Sequence, residues 1–78
     1  MPISESVADE LSILIRYNLD TNHQGIKVHS SADARVVEAT KRLHQKGLIT
    51  QEDGGYLTDL GIEAAKHADA LLCILSSN

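Results

Sequence analysis

The chain reads as an α+β domain in which three helices carry a small antiparallel sheet. Two observations predict this. Apolar residues recur at helical spacing in three stretches, about 4–18, 32–46 and 59–75, each opened by a capping residue. Short segments of strand type, about 26–29, 48–51 and 55–58, lie between them, two of them joined by a Gly-containing turn. With 78 residues the chain has room for one domain, spanning 1–78.

The first helix is predicted over 4–18. Ser4 or Ser6 caps it, and Glu5, Asp9 and Glu10 sit near its positive end. Val7, Leu11, Leu14 and Ile15 share one side with Asn18, which suits a core-facing stripe. Ile13 and Tyr17 lie off that stripe, where they are expected to meet another element or a second subunit. Residues 19–25 are rich in turn formers. Ile26 and Val28 then alternate with Lys27 and His29, a short strand with one face inward. Ser30 or Ser31 is expected to cap the second helix, with Asp33 in its first turn and Gly47 as its left-handed stop. Val36, Thr40 and Leu43 form its core face. Arg35, Ala39, Arg42 and Lys46 are read as a solvent-facing stripe.

Glu52-Asp53-Gly54 turns the chain between the last two strands, with Gly55 suited to a bulge or a positive φ. Thr58 caps the last helix and Asp59 follows in its first turn. Leu60, Ala64, Ala68, Leu71 and Leu75 are taken as its main stripe. From Ala68 onward it is apolar on nearly every side, as in helices buried from more than one direction. In so small a chain the second direction is expected to be another subunit. A homodimer through the first and last helices is therefore predicted, with Leu71, Leu72, Ile74 and Leu75 central and Ile13 and Tyr17 contributing.

Charge narrows the function. The net charge of −4 argues against nucleic-acid binding over the whole surface. Yet Lys27, Arg35, Lys41, Arg42 and Lys46, five of the seven Lys and Arg, fall within twenty residues just before the hairpin. Cations concentrated on one helix suit phosphate and guanine contacts in a major groove. The acidic hairpin tip, Glu52-Asp53, works against this, because it would be repelled by phosphate. A single cysteine, Cys73, excludes an internal disulfide and fits a reducing compartment. The four histidines show no zinc-ligand spacing, so no metal and no cofactor is expected. No nucleophile elbow or phosphate loop appears, and the chain is not read as an enzyme. No stretch has the length of a membrane span and the start has no signal-peptide pattern, so a cytoplasmic protein is expected.

Leu43, Gly47-Leu48-Ile49, Tyr56-Leu57-Thr58 and Gly61 together resemble the second half of a winged-helix domain. The resemblance covers roughly residues 26–75. It is similar to transcription regulators of the multiple-antibiotic-resistance and phenolic-acid-repressor types. In these a recognition helix ends in Gly-Leu-Ile, and a wing hairpin leads through Leu-Thr-x-x-Gly into a C-terminal helix. The whole chain also resembles a small family of uncharacterised bacterial proteins of about this length, sometimes labelled DNA-binding or regulatory without a demonstrated activity. The resemblance implies a winged-helix-like fold and a DNA-binding or transcription-associated role, with helix 32–46 as recognition helix. Arg35, Arg42 and Lys46 would contact double-stranded DNA, flanked by Lys41 and Lys27. One departure stands out: Asn18 to Ser31 leaves little room for the positioning helix that a helix-turn-helix needs. The alternative is a winged-helix scaffold without DNA binding, acting as a homodimeric protein–protein interaction module.

Overall fold

The computed structural model describes residues 3–17 and 25–77. Within them lie helix α1 (Glu5–Leu14), strand β1 (Ile26–Lys27), helix α2 (Ala34–Gln45), strands β2 (Ile49–Gln51) and β3 (Gly54–Leu57), and helix α3 (Asp59–Ser76). The sheet is antiparallel with order β1-β3-β2. This is the expected α+β architecture, in an arrangement consistent with a winged-helix-like fold.

Local chemistry sets the ends of each element. Ser4 caps α1 by accepting from the Val7 N–H at 3.2 Å. The helix stops at Leu14, short of the expected Asn18, because the chain tightens into i→i+3 bonds from Arg16 to Ile13 and from Tyr17 to Leu14. Asn18 itself lies outside the described residues, as does most of the 19–25 connection. That tight turn brings Tyr17 inward. The cap of α2 is Asp33, which accepts from the Arg35 N–H at 2.9 Å, and not Ser30 or Ser31. Those serines fall in a turn closed by the Ala32 N–H on the His29 carbonyl. Gly47 ends α2 at φ +80°, the left-handed stop the sequence predicts.

The hairpin carries a bulge. Ile49 pairs with Leu57, but Gln51 pairs with Gly54, so β3 holds one residue more than β2. Gly55 takes φ +71° there, and the Thr50 hydroxyl accepts the Tyr56 N–H at 3.0 Å. Beyond β1 the alternation continues, with Val28 buried and Lys27 and His29 exposed.

The core joins Ile13, Leu14 and Tyr17 of the α1 segment to Ala39 and Leu43 of α2 and Ile49 of β2. Of the two expectations for Ile13 and Tyr17, contact with another element or with a second subunit, the structure bears out the first and corrects the second. Both are buried within the protomer, at 1% and 6% exposure, and are unavailable to a partner. Val7 and Ile15, placed in the core-facing stripe by spacing, are instead half exposed. The whole face of α1 is rotated, because α2 sits beside it and draws in the Glu10–Ile13–Tyr17 side.

The Tyr17 hydroxyl is buried with no hydrogen-bond partner among the described residues. Burial and the charge of Asp53 push its pKa up to about 12. An unmet buried hydroxyl is a cost that phenylalanine removes while keeping the ring. Tyr17→Phe is expected to raise stability by about 1 kcal/mol in a urea titration.

Candidate nucleic-acid and dimer interfaces

Two surfaces were predicted to be functional, the cationic side of α2 and the apolar end of α3. On α2, Ala39, Leu43, Val36 and Thr40 face inward, and Ala39, Thr40 and Leu43 are fully buried. The stripe of Arg35, Ala39, Arg42 and Lys46 is therefore not opposite the core. At roughly 100° per residue it sits about a quarter turn from the core centre, on the shoulder of the helix. Ala39 within it presents only a methyl group, too small to hold α1 away, and α1 packs there.

The acids of α1 meet the cations of α2 along this seam. Arg35 forms a two-pronged pair with Asp9, Nε at 3.1 Å and Nη2 at 3.0 Å, with Glu5 at 3.9 Å. That hydrogen bond and charge hold the guanidinium still more firmly protonated. Arg42 donates Nε to Glu10 at 3.1 Å and Nη2 to the Ser6 carbonyl at 3.4 Å. Lys46 donates to the other oxygen of Glu10. Glu10 is thus a nearly buried carboxylate held between two cations. Burial pushes its pKa up, but the hydrogen bonds and charges of Lys46 and Arg42 outweigh burial and set it below the ordinary value. Sequence reasoning treated Glu5, Asp9 and Glu10 as helix-end acids. The signal available was three acids gathered on α1 in a chain that gathers three cations on α2.

The outward centre of α2 is left with Glu38, Lys41 and Gln45, all exposed. Lys41 lies 3.9 Å from Glu38, a loose surface pair. Lys27 is exposed on β1, away from the α1 seam. Lys27 and Lys41 border an open cleft of about 390 Å³ with His29, and Glu52 and Asp53 of the hairpin tip line the same cleft. Of five cations predicted to form one surface, three are joined to α1 and two face a cleft of mixed charge. Between α1 and α2 the described residues hold β1 and a turn, with no positioning helix among them.

On α3 the structure keeps Ala64 and Ala68 of the predicted stripe inward and turns its leucines outward. Its inward face is small, made by Gly61, Ala65 and Ala68. Its large residues point away: Leu60, Leu71, Ile74 and Leu75 are 55%, 52%, 69% and 70% exposed. Leu72 is half buried, and Cys73 is exposed. A helix with a small inner face lies close to the sheet, so its bulky side chains are displaced to the flank. Leu71, Leu72, Ile74 and Leu75 do stand together at the end of α3, whereas Ile13 and Tyr17 do not join them.

Among the described residues no three His, Cys, Asp or Glu side chains are grouped to hold a metal ion, and no helix is long and apolar enough to cross a membrane. Residues 1–76 match a family of unknown function (DUF5669). No curated protein and no solved structure matches the chain.

Proposed function

We propose that this chain, which belongs to the DUF5669 family, is a winged-helix-like module that acts through protein–protein contact, as a homodimer joined along α3. The observation that carries the reading is the outward set of large apolar residues on α3. A single domain of this size buries a small core and gains much from association. Exposed leucines and isoleucines clustered on one helix end are what an interface between copies removes from water. The engagement of Arg35, Arg42 and Lys46 by α1 supports the same reading. A recognition helix must present its cations to DNA, and here those cations hold the domain together.

DNA binding keeps a narrower footing in Lys27 and Lys41. Both are exposed, but Glu52 and Asp53 share their cleft and would repel a phosphate.

A fluorescence titration against mixed genomic fragments separates the two. At both low and moderate salt, no salt-dependent binding is expected. Binding that weakens with salt, and is reduced by Lys27→Ala with Lys41→Ala, would replace the proposed function with a DNA-binding one. Sedimentation at micromolar concentration is expected to give a dimer mass. Ile74→Asp is expected to give the monomer.

A further inference from the structure

The cleft between β1, α2 and the hairpin tip has the size of a small-molecule site. It holds about 390 Å³, where ligand pockets run from about 300 to 1,000 Å³. Val28, which is buried, and Val37, which is half buried, give it an apolar lining. Lys27 and Lys41 bring two positive charges to it, and Glu52 and Asp53 bring two negative ones. Among the described residues neither acid is paired with either lysine. Lys41 has only its loose contact with Glu38 at 3.9 Å. Along the α1–α2 seam, by contrast, acids and cations close directly on one another.

The fold keeps the two signs in one place without letting them meet. The Val28 N–H donates to the Asp53 carbonyl at 2.7 Å and ties the hairpin tip to the chain beyond β1. The α2 wall is anchored through Ala39, Thr40 and Leu43, all fully buried. Lys41 follows Thr40 directly, so its backbone is set by that anchoring.

We propose that this cleft binds a small zwitterion of amino-acid size, with its carboxylate at Lys27 and Lys41, its ammonium at Glu52 and Asp53, and its apolar part against Val28 and Val37. The charge balance selects the ligand. A simple anion such as phosphate gains from the lysines and loses to the acids, and a simple cation meets the reverse. A molecule carrying both signs gains at both ends, and its carbon frame covers the apolar lining between them. The cleft's volume limits it to a small molecule. The site lies on β1, α2 and the hairpin tip, so it stands whether or not two copies join along α3.

Amide NMR spectra of the full chain, titrated to about 20 mM with L-leucine and with ε-aminocaproate, test this. Both probes are apolar zwitterions, and they differ in the distance between their charges, so the tighter of the two reports the spacing the cleft reads. Saturable shifts are expected within 27–30, 37–41 and 52–53, with a Kd on the order of 1 mM for the better probe. Acetylating its amine or amidating its carboxylate is expected to weaken binding about tenfold. Lys27→Gln with Lys41→Gln should weaken it as much, and amidation should then cost nothing further. Glu52→Gln with Asp53→Asn should do the same for acetylation. All four side chains lie at the surface cleft, so the variants keep the spectrum of a folded chain. No saturable shift with either probe, shifts centred outside the cleft, or masked probes that bind as well as the parent would each overturn the proposal. Inorganic phosphate binding as tightly as the better probe would also overturn it, in favour of a plain anion site.

Discussion

Gly61→Ala is expected to destabilise the protein by about 3 kcal/mol or more, enough to leave much of the chain unfolded at 37 °C. The size and the sign both come from one contact. A Cβ at Gly61 would stand 1.9 Å from the Leu48 carbonyl oxygen and 2.9 Å from its carbon. Backbone cannot rotate away as a side-chain tip can. That carbonyl is also fixed, because it accepts the Thr58 N–H at 3.0 Å. Thr58 in turn accepts the Gly61 N–H at 3.0 Å and donates its hydroxyl to the Gly47 carbonyl at 2.6 Å. The start of α3, the end of α2 and the start of β2 thus meet at a single point. On an ordinary exposed helix site, glycine to alanine gains about 1 kcal/mol. A large loss measured by urea titration therefore reads steric contact and not propensity. An unchanged or raised midpoint would show that α3 does not lie this close to β2.

Small residues also explain where the sequence was legible. Thr58, Gly47 and Gly55 each have one strong local meaning, and each is found in the predicted role. Turn and cap chemistry is decided within four residues, so a linear reading captures it. The helix faces are decided across the fold, and there the largest apolar residues mislead. On α3 the predicted stripe of Leu60, Ala64, Ala68, Leu71 and Leu75 holds at its alanines, but its leucines are exposed and Gly61, Ala65 and Ala68 make the contact. On α2, Ala39 looked like a gap in a solvated cationic face. It is the point where α1 docks, and it is fully buried. Both errors have one physical source. Close helix packing selects for small side chains, which carry little weight in a hydrophobicity pattern. The ion pairs of Arg35, Arg42 and Lys46 went unread for the same reason. Charge clustering was visible in the chain, but which cations face acids from another helix depends on that packing.

Replacing Glu10 is the second large effect, expected to cost about 2 kcal/mol for Glu10→Ala at pH 7. The carboxylate side chain is 7% exposed, and it satisfies Arg42 and Lys46 together. Removing one partner from a fully buried ion pair costs more, about 3–5 kcal/mol. Here Arg42 and Lys46 are 32% and 52% exposed, so both cations regain water when the acid is lost, and the smaller figure follows. The pH dependence identifies the interaction. The folded carboxyl titrates below its ordinary 4.5, so its contribution is present above that value and is lost as pH falls through the lower folded value. The stability difference between wild type and Glu10→Ala should be constant from pH 8 to about pH 5 and shrink below it. The same variant bears on function. If Arg42 and Lys46 were DNA contacts held in check by Glu10, freeing them would create salt-dependent binding that wild type lacks. If they are the bond between α1 and α2, Glu10→Ala lowers the unfolding midpoint and leaves the DNA titration flat, which is the expected result.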